Sequence, residues 1–276
     1  MEFTTIGRAM KLIVLSYLGG INISAKLVKN KKVSMQYTYI IYLAPAKTSG
    51  YNVCSHSTPE CRLGCLNESG RAGMEISCGR SAIKNARIKK TKLFFEQTAF
   101  FMAWMIAEIR KYQYMAQQDG YGFSVRLNGT SDIDWAKVLV DGKSIFQIFP
   151  EVQFYDYTKN PNKFNELPVN YHLTFSYTGK NAHLCEALLA KGFNVAVVFD
   201  VKKKKPLPST FFGYTVVDGD LTDYRPNDGK GVIVGLRFKQ IANKESMKAL
   251  KESCFIVNPA DLQPAMSNPK IIYAVG

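Results

Sequence analysis

The sequence predicts an α/β fold, a partial or complete (β/α) barrel with a cysteine loop after the first strand. Short apolar runs typical of strands recur along the chain, separated by helical patterns and polar loops, which is the order expected of parallel β–α units. The run 194–199 is continuously apolar, as in parallel strands buried on both faces. An open, doubly wound sheet is the alternative arrangement.

Local patterns give the expected bounds of the elements. The first strand spans 36–43 and ends before Pro45, and a helix begins near Ser81 as its N-cap. Helical periodicity runs from 91 to 117 and ends at Asp119-Gly120. The later strands are expected at 122–127, 152–157, 171–177, 194–199, 212–217 and 232–238, with helices at 181–191 and 245–252. The strand count is close to that of a barrel.

The chain is expected to form a single α/β domain over 1–276. It divides into an N-terminal extension (1–35), a strand plus cysteine-loop segment (36–90), and a region of helix and β/α units (91–276). With 46% hydrophobic residues the chain can bury one large core. No apolar run reaches about 18 residues and no secretory signal is found, so we expect no membrane contact and a cytoplasmic location.

Four of the six cysteines lie within 25 residues, at Cys54, Cys61, Cys65 and Cys78. A metal or iron–sulfur centre requires such clustering, because its thiolates must converge on a small volume. The spacing differs from the paired cysteines of zinc ribbons and from common ferredoxin motifs. We expect a [4Fe-4S] cluster, with zinc or no metal as alternatives, and we expect Cys185 and Cys254 to be buried, inert thiols.

The net charge of +14 is unevenly distributed. Residues 1–120 carry 17 lysine and arginine residues against 7 acidic ones, whereas residues 121–276 carry 19 against 15. The basic N-terminal half could bind nucleic acid or another polyanion. A run of cations between Arg80 and Lys92 repeats at near-helical spacing, and the alternative is that it is simply a solvated helix face.

Polar residues follow most of the predicted strands. Because a barrel builds its active site at the carboxyl ends of its strands, these residues are candidates for substrate binding. Arg126 and Lys159 could pair with a carboxylate or phosphate, and each candidate could instead be a turn or cap residue. The candidates are Arg126, Asn128, Asp132, Asp156, Lys159, Asp218, Asp220 and Arg225. The sequence has no dinucleotide or P-loop fingerprint, no EF-hand loop and no nucleophile motif that would name a catalytic residue.

Several ordered motifs resemble the phage "gene product 88" domain family. They are Leu43-Ala-Pro45 with the cysteine loop to Cys65-Leu66, then Arg126-Leu-Asn128-x-x-Ser131-Asp132, and Asp218-Gly-Asp220-x-x-Asp223-x-Arg225. The resemblance covers roughly residues 35–240. It implies a phage origin and the cytoplasm of the host cell, and it implies no particular reaction.

The opening of strand, cysteine loop and helix also resembles radical S-adenosylmethionine enzymes. Their usual motif is C-x3-C-x2-C, which leaves one iron open for the cofactor, whereas the gaps here are six and three residues. Cys78 could supply a fourth thiolate and close the cluster. The resemblance implies S-adenosylmethionine as a second cofactor.

Two functions therefore remain. The first is a phage-encoded iron–sulfur protein with radical S-adenosylmethionine-like or redox activity. The second is a nucleic-acid-binding or regulatory module in which zinc or a cluster only holds the loop together. Whether the chain is an enzyme is left open by the sequence.

Overall fold

A computed structural model of the protein describes residues 15–22, 25–65, 67, 81–239, 241 and 243–261. It shows a mixed α/β fold built on one large, mostly parallel sheet. The seven described helices are α1 (Ala25–Ser34), α2 (Pro59–Leu63), α3 (Ala82–Glu96), α4 (Thr98–Gln118), α5 (Ile145–Ile148), α6 (Ala182–Ala190) and α7 (Lys244–Glu252). Short 3-10 helices lie at Trp135–Lys137, Pro161–Phe164, Arg225–Asn227 and Pro259–Asp261.

The described residues form twelve strands, ten of which belong to the large sheet. In chain order the strands are β1 (Gly19–Gly20), β2 (Gln36–Ile41), β3 (Gly122–Arg126), β4 (Leu139–Val140), β5 (Lys143–Ser144), β6 (Gln153–Thr158), β7 (Tyr171–Ser176), β8 (Asn194–Phe199), β9 (Thr210–Phe211), β10 (Tyr214–Asp218), β11 (Ile233–Arg237) and β12 (Ile256–Val257). Strands β4 and β5 form a separate hairpin.

The order across the large sheet is β1-β2-β3-β6-β7-β8-β11-β10-β9. The seven strands from β2 to β10 run parallel, and the short strands β1 and β9 are antiparallel at the two edges. Because β1 and β9 do not pair within the described residues, the sheet is open and no closed barrel is formed.

The main hydrophobic core lies on one face of this sheet. Residues two apart on a strand share a face, and the core takes Leu173 and Phe175 from β7 and Val195, Val197 and Phe199 from β8. Helices α3, α4 and α6 contribute residues to the same core, as do the segments that connect β3, β6 and β7. The crossover helices α3, α4 and α6 therefore pack on this side, whereas α7 packs against Val198 on the opposite side.

The opposite face of the sheet is unusually polar. Thr38 of β2, Ser124 of β3 and Tyr155 of β6 are buried there and joined by hydrogen bonds of 3.0–3.3 Å. Asn30 of α1 lies against this group, with its side-chain nitrogen 3.4 Å from Thr38 Oγ1. Residues 222–225 cross this face, so the sheet has an apolar side for packing and a polar side.

The last strand, β12, is inserted between β7 and β8 near the middle of the sheet. Strand β8 pairs with β7 only through 194–196, whereas Val198 and Phe199 pair with β12. Strands β7 and β8 therefore separate towards their carboxyl ends, and β12 occupies the gap. Helix α7 and β12 form a small second core of Ile241, Leu250 and Ile256.

Candidate metal and substrate site

A cavity of about 320 Å³ lies at the carboxyl ends of the parallel strands. This is the end of an α/β sheet at which ligands bind. The strand tails bring together residues that are distant in the sequence. The cavity is lined by Tyr42, Cys54, Ser57, Cys61, Gly64, Cys65, Arg126, Asn128, Gly129, Thr130, Ser131, Asp132, Tyr157, Thr158, Lys159, Ser176, Tyr177, Ala196, Val198, Asp220, Asp223, Leu236, Arg237, Phe238, Lys239 and Phe255.

Three of the four clustered cysteines reach this cavity. Cys54, Cys61 and Cys65 are all half-buried free thiols on the segment that follows β2. Burial raises the pKa of the Cys54 thiol to about 11, and the neighbouring Cys65 and Cys61 add to this rise. The three thiols therefore lie close enough to interact electrostatically.

Cys54 is held by its own loop and by the tail of β3. Its Sγ accepts a hydrogen bond from the Ala46 N–H at 3.4 Å, and its S–H lies 3.8 Å from the Thr130 carbonyl. Ala46 has a φ of 50°, in the left-handed region, which is unusual for a residue with a side chain. The Asp132 N–H also donates to the Val53 carbonyl at 2.8 Å, so the loop and the β3 tail are fixed together.

Cys61 is placed by a helix cap. The Thr58 side chain accepts from the Cys61 N–H at 3.1 Å, and Pro59 begins α2, as is favourable at a first helical position. Gly64 ends this helix, and the side chain of Leu250 lies against it. Helix α7 therefore supports the short segment that carries Cys61 and Cys65.

The chemistry of these donors fits a soft metal or an iron–sulfur cluster. Three thiols from one loop face one cavity, and thiolates are the ligands such centres use. Within the described part of the chain, no three His, Cys, Asp or Glu side chains are already arranged around a single metal position. Cys78, the predicted fourth ligand, lies outside the described residues.

Arg126 is the buried cation of the cavity. Its Nη1 donates to Asp223 Oδ2 at 2.7 Å, and its Nε lies 3.7 Å from Asp156 Oδ1. Burial alone would lower the pKa of Arg126, but Asp223, Tyr157, Tyr155 and Asp156 raise it above its ordinary value. Arg126 therefore remains charged, and its Nε has no hydrogen-bond partner within the described structure.

Asn128 and Asp156 organise the loop after β3. Asn128 accepts from Ser131, Ile133 and Trp135, and its own N–H donates to Asp156 Oδ1 at 2.9 Å. Burial raises the pKa of Asp156 to about 7, against the effects of Arg126 and the Asn128 N–H. Asn128 lines the cavity, but Asp156 is not among the lining residues.

Asp132 and Lys159 also line the cavity, and the carboxylate of Asp132 is fully engaged. It accepts from Lys163 Nζ at 2.6 Å, from Thr158 at 2.8 Å and from the Lys159 N–H at 2.9 Å. Asp132 thus connects the segment after β3 to the segment after β6. Lys159 contributes its backbone N–H, and not its side chain, to this connection.

Asp218 and Asp220 are both bound by Arg237. The guanidinium makes a two-pronged contact with Asp218 at 2.8 and 2.9 Å and reaches Asp220 at 3.2 Å. The hydrogen bond from Arg237 lowers the pKa of Asp218. Asp220 and Arg237 line the cavity, whereas Asp218 only fixes Arg237.

Arg225 lies beneath the cavity and does not line it. Its side chain is fully buried, with Nη1 3.3 Å from Asp228 Oδ2. Burial, together with the charge of Arg225, lowers the pKa of His172 to about 4. Arg225 is therefore part of the buried polar face of the sheet and not of the cavity wall.

Sequence reasoning missed several cavity residues. Aromatic side chains from five different segments line the cavity, namely Tyr42, Tyr157, Tyr177, Phe238 and Phe255. Tyr157 and Tyr177 belong to polar strand tails that the sequence analysis singled out, so alternation along a strand could have found them. Phe255 carries no such local signal, because it reaches the cavity only through the pairing of β12 with β8.

Two surface expectations were wrong. Cys254 is exposed, whereas Cys185 is buried as expected. The basic run on α3 is not one solvated face, because Arg87 and Lys90 are buried, while Lys89 and Lys92 are exposed. Arg87 donates to Asn67 at 2.6 Å, and the ammonium of Lys90 lies 4.6 Å from the centre of the Tyr17 ring.

A family model described as gene product 88 matches residues 20–254. Since this is most of the chain, the protein belongs to the gene product 88 family, and a bacteriophage origin is consistent with that match. A search of curated proteins and a search of solved structures found no match. None of the described helices is both long and apolar enough to cross a lipid bilayer.

Proposed function

We propose that this protein is an iron–sulfur enzyme that binds its cluster through Cys54, Cys61 and Cys65. The observation that carries the proposal is that these three thiols, from one loop, line the same cavity as Arg126 at the carboxyl ends of the parallel strands. Sequence reasoning assigned the thiols to a cluster, and their position on one cavity supports that assignment. In this proposal the open, one-sided sheet serves as a partial (β/α) barrel.

The donor set suits an iron–sulfur cluster. A cluster bound by three cysteines keeps one iron available for a small molecule, and zinc is the alternative, since a catalytic zinc also has three protein ligands and an open position. Such a cluster supplies one-electron chemistry and, with an open iron, a binding point for S-adenosylmethionine. Reducing conditions in the cytoplasm of a phage-infected cell would keep the thiols available.

The residues opposite the thiols are suited to binding an anionic group. Arg126 lines the cavity, its buried Nε makes no hydrogen bond, and its guanidinium lies 5.0 Å from the centre of the Tyr157 ring. Asp223 and Asp156 keep Arg126 charged and oriented. We assign Arg126 to a carboxylate or phosphate of the bound molecule, because planar guanidinium groups bind such groups well.

The test is anaerobic purification followed by an absorption spectrum and by iron, sulfide and zinc analysis. About four irons and four sulfides per chain, with absorption near 400 nm, are expected for a cubane cluster. Each of Cys54→Ala, Cys61→Ala and Cys65→Ala should lose the cluster. Cys185→Ala is the matched control, since Cys185 is buried away from the cavity, and it should keep the full iron content.

Cys78→Ala decides whether an iron is open. Retention of the full cluster, together with binding of S-adenosylmethionine measured by equilibrium dialysis, would support the enzyme. Loss of the cluster would make Cys78 a ligand and point to electron transfer or sensing. One zinc per chain and no iron would contradict the proposal and favour the metal-stabilised binding module.

A further inference from the structure

The cavity mouth carries a one-sided excess of lysine. The described tails of β6, β7, β8 and β11 contain seven lysines and one acidic residue, Asp200. Asp200 lies 3.2 Å from Lys251 of α7 and is therefore already paired. The lysines are Lys159, Lys180, Lys202, Lys203, Lys204, Lys205 and Lys239.

The acidic residues elsewhere around the mouth compensate this charge only in part. Asp132 pairs with Lys163, and two pairs of carboxylates each share one guanidinium, namely Asp156 and Asp223 with Arg126, and Asp218 and Asp220 with Arg237. Lys180 has a contact of 3.4 Å with Glu60, but its side chain is 76% exposed, so the pair is weak. The mouth therefore keeps a net positive field, which attracts a polyanion.

The four consecutive lysines at 202–205 are exposed, and the turn that holds them is fixed to the cavity wall. Arg237, which lines the cavity, donates to the Lys205 carbonyl from Nε at 3.1 Å and from Nη2 at 3.0 Å. The same guanidinium is anchored by Asp218. The structure thus keeps four exposed like charges beside the mouth, where they can contact a bound anion.

The cavity behind this lysine rim is rich in aromatic groups. Tyr42, Tyr157, Tyr177, Phe238 and Phe255 are each half-buried and line it. Proteins that bind single-stranded nucleic acid combine a basic track for the phosphates with aromatic side chains on which bases stack. Enzymes that modify a base draw it out of the stack into such a pocket.

We propose that the substrate is a single-stranded nucleic acid, with its phosphates on the lysine rim and one base inside the cavity. The inference rests on the proposed function in treating the cavity as the place of reaction. An acidic polypeptide is the competing ligand, but it has no group matched to the aromatic interior, whereas every nucleobase has a flat face for stacking. The rim is also distinct from the basic N-terminal half considered from sequence, where Arg87 and Lys90 are buried.

The test measures fluorescence anisotropy of labelled single strands of about 12 nucleotides, a length that covers a typical single-strand site. DNA and RNA versions, an abasic strand, a duplex and poly-glutamate are compared. The variant changes Lys202, Lys203, Lys204 and Lys205 to Gln. The matched control changes four exposed lysines elsewhere, Lys89, Lys92, Lys143 and Lys191, to Gln and removes the same charge.

We expect the rim variant to bind the single strand at least tenfold more weakly than wild type. The slope of log affinity against log salt should fall by about 2 to 3, as expected for losing four phosphate contacts. The control should stay within about twofold of wild type, and the abasic strand should bind about tenfold more weakly to wild type, because stacking is lost.

Equal losses in the rim variant and the control would overturn the proposal, since they would reflect net charge alone. Equal affinity for the abasic strand, or tighter binding of poly-glutamate or duplex, would also overturn it. Iron content is measured on the same preparations. Iron without strand binding would reject this inference alone, whereas strand binding without iron would reject the proposed function and keep the rim as a binding surface.

Discussion

Arg126 and Asp223 form an ion pair that is almost completely removed from solvent, with both residues less than a tenth exposed. Removing one partner of such a pair leaves a buried charge without compensation, which costs far more than the pair itself contributes. Of the predicted substrate-binding residues, Asn128 and Asp132 use their polar side-chain atoms to order the loop. Arg126 lines the cavity, and its Nε makes no hydrogen bond.

Asp223→Asn should therefore lower the free energy of unfolding by about 3 kcal/mol, because Arg126 is then left with Asp156 as its nearby carboxylate. Urea unfolding at pH 7 measures the change. Asp134→Asn is the control: its partner Lys137 is 82% exposed, so the loss there should be near zero. Equal effects of the two substitutions would contradict the assignment of a buried, strongly coupled pair.

Lys90 predicts a pH dependence of stability. Burial lowers its pKa to about 8 from an ordinary 10.5, with Glu108 opposing and Arg87 adding to the shift. Between these pH values the unfolded chain binds more protons, so stability rises as pH rises from 8 to 10.5 and is unaffected by this group below 8.

Lys90→Met should stabilise the protein at pH 7 by about 2 kcal/mol, and most of the gain should be lost by pH 10.5, where Lys90 is neutral in the folded protein and half-protonated in the unfolded chain. Urea unfolding at both pH values is the measurement. Lys89→Met, at the exposed neighbouring position, should change little at either pH. A gain of the same size at both pH values would show that packing, not charge, is responsible.

Among the elements, the β3 tail depends on a close approach to β2. A side chain at Gly129 would lie 2.6 Å from the Ile41 carbonyl and 2.7 Å from the Tyr42 ring, so only glycine fits. This approach brings the Thr130 carbonyl to Cys54 and the Thr130 hydroxyl to the Leu43 carbonyl.

Gly129→Ala should push the β3 tail away from the cysteine loop. We expect a loss of about 2 kcal/mol in stability, since backbone must move, and a lower iron content after reconstitution. Gly142→Ala is the control for a generic effect of replacing glycine: it has a positive φ but nothing within 4 Å, so it should lose stability and keep its iron. Full iron content in Gly129→Ala would contradict a positioning role for this contact.

Most elements with a regular pattern were predictable from the sequence. The strand predicted at 194–199 is exact, the strands at 122–127 and 171–177 are right to within one residue, and Ser81 caps a helix through a hydrogen bond from the Lys84 N–H. The predicted helix at 91–117 was wrong in its extent. Helix α3 begins at Ala82, and the helical conformation is interrupted at Gln97, whose φ of −143° and ψ of 57° are not helical. The pattern continued through this break because both helices bury residues in the same core.

Short elements and long-range contacts were not predictable. Strands β1, β9 and β12 contain two residues each, too few to show any periodicity. Helix α1 was missed because it carries four lysines and little apolar pattern. The local polarity of the strand tails indicated the end of the sheet at which the cavity lies, but which tails meet depends on pairings between distant strands. The contact of Asp223 with Arg126 therefore had no local signal.

At the scale of the whole molecule, the two faces of the sheet have different roles. One face takes the helical crossovers and the large core, so it determines stability. The other face carries α1 and α7 and presents Arg126 and Tyr157 to the cavity. The net charge of +14 is likewise divided, because acidic groups at the mouth are bound within the protein while lysines 202–205 stay exposed.

The position of β12 also sets an order of assembly during synthesis on the ribosome. Cys54, Cys61 and Cys65 emerge early, whereas the cavity wall at Phe255 and the support of Gly64 by Leu250 come from a segment made almost two hundred residues later. Until that segment docks, the cavity lacks its wall at Phe255 and the contact of Leu250 with Gly64. The three cysteines are therefore synthesised well before the fold that half-buries them can be completed.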